Sequence, residues 1–402
     1  MDTPHRIIHL DLDAFYCAVE EQRDPRLQGK TFAVGGRPDE RGVVASCSYA
    51  ARARGVRSAM PMRTALGLCP GLLIVPPHFD AYHRTSHQVM ERLRALTSQV
   101  EQVSIDEAFL DVSDLPEPVD VLAHRLQDTI RRDLGLPCSL GVASNKLVAK
   151  IATDVGKMNA ANPLPSPPEK RPAGPPNAIT IVPPGEEAAF LAPLPVQMLW
   201  GVGPKTAEKL AALHIETIGD LARYSEADLL RRFGKNGHDL SLHARGYDKR
   251  PVVTEHETKS ISQETTFTRD VIDARKLHET LRQQAQEVAR TLQRQNLTAR
   301  TVKVKLRWAD FTTLTRQVTS GSAFDDAETI ATQAVKLFEK EWQASAYRAV
   351  RLIGIGVSGF DEPPQQLGLW DCDWQQDERL RGVIDDLQKR FGSKAFTRGL
   401  KR

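Results

Sequence analysis

No run of apolar residues in this 402-residue chain approaches the ~20 that a membrane-spanning helix needs. Met1 to Leu12 carries two acids and no apolar core of signal-peptide length, so neither a membrane protein nor a secreted one is expected. Cysteines are few. Cys17, Cys47, Cys69, Cys138 and Cys372 are scattered, odd in number and contain no Cys-x-x-Cys pair. That pattern argues against a disulfide framework or a zinc site and fits a reducing cytoplasm. Internal repeats are missing as well. What remains is an ordinary globular composition, 41% hydrophobic, in a chain long enough for two to four domains.

Excess charge is also scarce, a net +3, but it is unevenly spread. Lys249 to Ser358 holds 18 Lys+Arg against 13 Asp+Glu, so 18 − 13 = +5, more than the whole chain. A basic module on a more neutral body suits the holding of a polyanion. A solvated charged surface explains the charge alone equally well.

Arg6 to Leu12 reads as a buried strand that ends in acids. A helix follows at about His83 to Leu96, then strands near Val100–Val103 and Ala108–Val112. Leu122, Leu126, Ile130 and Leu134 mark another helix, closed by Gly135, and Cys138–Val142 a further strand. The order β, α, β, β, α, β is the split pattern of a ferredoxin-like fold, with Gln22 to Pro77 inserted after the first strand. Ala160 to Asn177 contains seven of the 25 prolines and reads as an extended linker. Short helices are expected near Pro204–Leu213 and Ser225–Phe233. Leu277, Leu281, Val288 and Leu292 form a helical stripe. Thr301–Trp308 alternates as a strand, and a last helix is expected over Asp377–Phe391.

Acids at strand ends carry the strongest chemical signal. HLDLDAFY puts Asp11 and Asp13 where the first strand runs out, and SIDEAFLDV puts Asp106 and Glu107 between two strands. Neighbouring residues in a flat strand point to opposite faces, so both acids serve one site only from a tight turn or bulge. In a ferredoxin-like sheet the first and third strands are neighbours, which lets Asp11 and the Asp106–Glu107 turn converge. Clustered carboxylates are costly to keep ionised without cations. Such oxygen ligands suit Mg²⁺, and two ions suit in-line phosphoryl transfer. Taken singly, the Asp-Glu pair reads as a surface turn.

With both motifs in view the chain resembles the Y-family, lesion-bypass DNA polymerases, from about Arg6 to its C-terminus. HLDLDAFYCAVE, GVVASCSYAARARGVRSAMP, SIDEAFLDVS, SNKLVAKIATD and LWGVGPKTAEKL carry the resemblance. It implies an α+β multidomain architecture: a ferredoxin-like palm (1–21 and 78–159), inserted fingers (22–77), a proline-rich linker (160–178), a thumb with a helix-hairpin-helix (179–247), an α/β little finger (248–360) and a tail (361–402). It implies dNTP addition to a primer 3′-OH on a DNA template, by a monomer without proofreading. Two Mg²⁺ would be held by Asp11, Asp106, Glu107 and the backbone carbonyl of Leu12, with Asp13 beside them. Tyr49, Arg52 and Lys157 would hold the triphosphate, with Ser46 also at the nucleotide. Tyr16 would be the steric gate against a 2′-OH, with Phe15 beside it. Val43, Ala45 and Ala59 would roof the nascent pair. The family's Lys-Pro-Asn-Gly-like turn is replaced here by Lys157-Met158-Asn159-Ala160. On residues alone, Phe15 and Tyr16 read as core aromatics, Tyr49 and Arg52 as an exposed helical pair, and Lys157 as a partner of a helix dipole.

Gly201-Val202-Gly203 before Pro204 looks like a helix-hairpin-helix turn whose N–H groups bind a DNA phosphate; by itself it is a capping turn. In TVKVKLRW, Lys303, Lys305 and Arg307 share one strand face, suited to a DNA backbone. Gln366-Leu367-Gly368-Leu369-Trp370 is similar to the short peptide with which bacterial replication proteins dock on the sliding clamp, through Gln366, Leu367, Leu369 and Trp370. Two rivals stay open: a non-catalytic DNA- and clamp-binding relative, and a nucleotidyl cyclase.

Overall fold

The computed structural model describes residues 5–161, 174–255 and 257–361. The clamp-like peptide Gln366–Trp370, the helix expected over Asp377–Phe391 and most of the proline-rich stretch lie outside them. Two compact units are present, Met1–Glu257 and Thr258–Arg402.

The first unit runs β1 (Ile7–Leu12), α1 (Phe15–Arg23), β2 (Phe32–Gly35), β3 (Val44–Cys47), α2 (Tyr49–Ala53), α3 (Met62–Leu68), β4 (Leu73–Val75), α4 (Phe79–Leu96), β5 (Val100–Gln102), β6 (Glu107–Asp111), α5 (Val119–Leu134), β7 (Cys138–Ala143), α6 (Lys146–Ala161) and β8 (Ile179–Ile181). Five short helices follow: α7 (Glu187–Leu191), α8 (Pro204–Ala211), α9 (Ile218–Arg223), α10 (Glu226–Phe233) and α11 (Lys235–Ala244).

The main sheet has the order β5-β6-β1-β7-β8. β1 is central because it is apolar on both faces, and it pairs antiparallel with β6 and β7. Its first four strands give the ferredoxin-like order expected. The fifth was not expected. β8 pairs parallel with β7, so Ile179–Ile181, assigned above to the start of the thumb, completes this sheet instead. β7 has a free edge there, and Leu140 and Val142 exchange backbone bonds with Ala178 and Val182.

Side-chain alternation gives the sheet two cores. Ile8, Leu10, Leu12, Leu110, Leu140 and Val142 face α1, α4 and α5, whose stripes supply Tyr82, Val89, Leu93, Leu122, Leu126 and Ile130. Each such buried side chain contributes about 1.5–3 kcal/mol. Ile7, Phe109 and Ala143 face the other way, onto Leu147, Val148 and Ile151 of α6 and onto the short helices. The insertion after α1 forms its own sheet, β3-β2-β4, over Ala33, Val44, Cys47, Ala51 and Met62.

The second unit starts later than residue 248, where the sequence reading began it. Residues 248–253 are bound to the first unit, because the N-terminus of α6 needs acceptors. Asp248 accepts from Leu147 N (3.1 Å), and Lys146 Nζ donates to Pro251 O (3.1 Å). The buried Lys146–Glu101 pair (2.5 Å) holds Val253 N through Glu101 (2.8 Å).

The second unit itself runs β9 (Ser260–Val271), α12 (Ala274–Arg294), β10 (Thr298–Trp308), β11 (Thr313–Phe324), α13 (Ala327–Ala344) and β12 (Val350–Asp361). Its antiparallel sheet has the order β11-β10-β12-β9. The expected stripe Leu277, Leu281, Val288 and Leu292 packs on Val302, Val304, Leu306 and Trp308. Among the described residues no helix is long and apolar enough to cross a membrane.

Candidate active site

The register of β1 and β6 sets Asp11 directly opposite Glu107. Asp106 sits in the adjoining turn, where its carbonyl accepts from Leu12 N (3.0 Å). Ser104 builds that turn. Its Oγ accepts from Asp106 N (3.2 Å) and Glu107 N (3.1 Å), and its hydroxyl donates to Asp106 Oδ1 (2.5 Å). A turn at this point is what frees Asp106 and Glu107 from the opposite-face rule.

Helix α6 crosses the same face at close range because of one glycine. A Cβ on Gly141 would lie 2.0 Å from Ala149 O and 2.5 Å from Thr153 N. That approach delivers Lys150, Thr153 and Lys157 to the acids. Lys150 Nζ lies 2.5 Å from Glu107 Oε1. Lys157 pairs with Asp11 Oδ1 and lies 3.4 Å from Asp13 Oδ1. Sequence reasoning named Lys157 but missed Lys150. The signal was present: seven residues are two helical turns, so both lysines share a face. His9 was missed too. It is fully buried, with Nδ1 2.8 Å from Thr153 Oγ1 and Nε2 3.8 Å from Glu107 Oε1.

Electrostatics here follow from burial and crowding. Burial pushes the Asp11 carboxyl up, Lys157 pulls it back, and the charges of Glu107 and Asp106 add repulsion; the result is about 7. Burial opposes the charge on Lys157, but Asp11 and Asp13 outweigh it and hold the ammonium above its usual range. His9 is kept neutral, well below the ordinary imidazole value, by burial first and then by Lys150 and Lys157.

Asp13 turns inward. Its carboxylate accepts from Ser139 Oγ (2.9 Å) and Asn177 N (3.1 Å). Asp11, Asp106 and Glu107 offer only hard oxygen donors, the set that suits a divalent cation. Among the described residues, no three acid, His or Cys side chains stand at metal-ligating distances. Asp11 and Glu107 are turned to Lys157 and Lys150 instead. Their backbones are adjacent across the ladder.

Tyr16 stacks on Tyr82, centroids 4.3 Å apart and planes 13° off parallel, with Phe79 edge-on at 6.2 Å. Burial, and after it the charge of Asp106, pushes the Tyr16 hydroxyl above its ordinary value. The side chain of Phe15, expected at the nucleotide, lies in the core, 2% exposed. Alternation along β3 likewise buries Ser46, which accepts from Cys17 Sγ (3.5 Å), and leaves Ala45 exposed. Val43 and Ala59 are exposed as well. Ala59 N bonds Val44 O (2.8 Å), so the three lie side by side. Arg52 lies over the Tyr49 ring at 5.0 Å, as one-turn spacing predicts. Burial, then the charge of Asp13, raises the Tyr49 hydroxyl.

Gly201, with φ 97, and Gly203, the N-cap of α8, precede that helix, and a Cβ at either would meet nothing within 4 Å. Within the second unit, Lys303 and Lys305 line an open cleft of about 210 Å³ on the side of the sheet away from its core. Lys305 pairs with Glu264 (2.9 Å), and Arg307 Nε donates to Thr313 Oγ1 (2.8 Å). Gly354 and Gly356 lie opposite Lys305 and Lys303, which keeps that face low.

Comparison with known proteins decides the family. The impB/mucB/samB family model matches residues 10–154, its C-terminal domain 258–369, and the family's helix-hairpin-helix motif 184–215. A DNA polymerase IV of Listeria monocytogenes is 40% identical over 90% of this chain and 96% of its own. DNA polymerase IV 1 of Bacillus subtilis is 37% identical over 98% and 92%. This chain belongs to the Y family of DNA polymerases. It is a DNA-directed DNA polymerase of the translesion type, and neither the accessory nor the cyclase reading is favoured. Solved structures agree on the fold. A Y-family polymerase chimera has TM-score 0.77 at 24% identity, covering 89% of this chain and 100% of its own. An insertion ternary complex of Dbh DNA polymerase has TM-score 0.59 at 25% identity, covering 88% and 98%. Membership of this family implies dependence on a divalent metal and a DNA substrate.

Proposed function

We propose that this polymerase joins a dNTP to a primer 3′-OH at the acids of β1 and β6. Asp11, Asp106, Glu107 and the Leu12 carbonyl are the ligands of two Mg²⁺. When bound, the ions supply charge stabilisation at the attacking and leaving oxygens. The pairing of Asp11 with Glu107 across the strands, with Asp106 in the next turn, carries this reading.

The other residues bind, orient and exclude. Arg52 offers a planar, permanently charged fork for triphosphate oxygens, and Tyr49 a hydroxyl. Lys157 serves the same oxygens once it leaves Asp11. Lys150 steadies Glu107. Tyr16 is fixed by its stack on Tyr82, so a ribose 2′-OH meets a ring that has little room to yield. Phe15 supports this stack from the core instead of touching the nucleotide, and Ser46 stays beneath the roof. Val43, Ala45 and Ala59 present small side chains to the nascent pair, a roof that tolerates irregular templates. Gly201 and Gly203 offer backbone N–H groups to a DNA phosphate, and Lys303, Lys305 and Arg307 hold the duplex backbone without reading bases. The peptide Gln366–Trp370 docks on a sliding clamp.

Primer extension tests the assignment. Wild-type protein extends a primed DNA template with Mg²⁺ and dNTPs and stops with EDTA. Asp106→Ala does not extend it. A wild-type protein that adds no nucleotide sinks this reading.

A further inference from the structure

The hairpin between β10 and β11 breaks a local rule. Phe311 holds φ 66, a left-handed conformation that glycine or asparagine takes easily and a bulky aromatic residue does not. The turn does not need the ring. Phe311 N donates to Trp308 O (3.0 Å), Trp308 N to Thr312 O (2.9 Å) and Thr312 N to Asp310 Oδ1 (3.0 Å). Arg348 secures Asp310 from the side (2.6 Å). Phe311 is 62% exposed. Its cationic partner is Arg351, whose guanidinium lies 4.3 Å from the centroid. Among the described residues Arg351 has no carboxylate partner within ion-pair distance. Arg307, the last cation of the basic row, bonds Thr313, two residues beyond Phe311.

A strained backbone that keeps an aromatic ring in solvent points to use of the ring. An aromatic face backed by a guanidinium, in the hairpin that follows the strand carrying the cations, matches the chemistry of unpaired bases on a phosphate backbone. We infer that Phe311 and Arg351 form a stacking platform for a base of single-stranded DNA that continues from the Lys303–Lys305–Arg307 row. This rests on the DNA-binding role proposed for that row. The row takes duplex backbone, whereas the platform takes an unpaired base.

The test uses the full-length chain and two probes. One is a blunt DNA duplex. The other is the same duplex with a 5′ thymidine overhang carrying one 2-aminopurine. Phe311→Ala lowers affinity for the overhang probe about five- to tenfold, leaves blunt-duplex affinity unchanged and loses the quenching of 2-aminopurine. Phe311→Tyr keeps all three properties. Phe311→Gly, which suits the turn, loses overhang affinity without lowering Tm, so the loss is not one of folding. Wild-type overhang affinity and quenching in Phe311→Ala overturn the inference and leave the ring for a protein partner. Wild-type blunt-duplex affinity in Lys303→Ala/Lys305→Ala overturns the row instead, a separate result.

Discussion

Asp11 and Glu107 face each other across β1 and β6, and two lysines of one helix, Lys157 and Lys150, hold one each. In the proposed cycle Lys157 transfers its charge from Asp11 to the triphosphate. Lys157→Met should therefore raise KM for dNTP about tenfold or more, the worth of one charge-assisted bond. Steady-state kinetics at saturating primer-template checks this. An unchanged KM removes Lys157 from the triphosphate site.

Tyr16 lies flat on Tyr82 at 4.3 Å, which fixes the ring before any sugar arrives. Tyr16→Ala should increase ribonucleotide insertion relative to deoxynucleotide by about a hundredfold. Tyr82→Leu, which leaves Tyr16 in place but removes the ring it stacks on, should give a smaller increase. Competition between paired rNTP and dNTP measures both. Unchanged sugar selectivity in Tyr16→Ala rejects the gate.

Gly141 is the contact that lets α6 reach the acids. A methyl group there meets backbone on the helix side, and backbone cannot swing away. Gly141→Ala should cost roughly 1–3 kcal/mol or more and lower kcat as well, because Lys150, Thr153 and Lys157 retreat together. Urea denaturation and single-turnover rates report the two effects. A variant with wild-type stability contradicts the close approach.

Asp248 caps α6 from a side chain that is 1% exposed. Burial opposes its charge, but bonds to Arg250 outweigh burial and hold the carboxyl below its ordinary value. The folded value is the lower one, so the stabilisation is fully present above the unfolded value near 3.8 and is lost as pH falls through the folded one. Asp248→Asn should destabilise by about 1–3 kcal/mol at pH 7, with the gap to wild type closing in acid. A gap that stays constant from pH 7 into the acid range excludes this linkage.

Much of the candidate site was legible in short stretches. HLDLDAFY and SIDEAFLDV fall at strand ends, and the ferredoxin-like order makes those ends neighbours. The alternation of TVKVKLRW was equally plain, since a strand has a period of two. What escaped depends on contacts between distant segments. Lys150 reaches Glu107 only because Gly141 admits α6. Ile179–Ile181 joined the main sheet from beyond the proline-rich stretch, and residues 248–253 stayed with the first unit to satisfy the end of α6. Phe15 sits next to Tyr16 in sequence, yet successive helical residues point about 100° apart, so one ring entered the core and the other met the site.

Asp106 offers the most direct measurement, because its side chain bonds Ser104 and makes no ion pair among the described residues. Primer extension is to be followed with the full-length chain, a primed DNA template, dNTPs and Mg²⁺, for wild type and Asp106→Asn, alongside the Tm of each. The account predicts extension by wild type and a loss of roughly a thousandfold or more in Asp106→Asn, with little change in Tm. Extension by Asp106→Asn at the wild-type rate would contradict it.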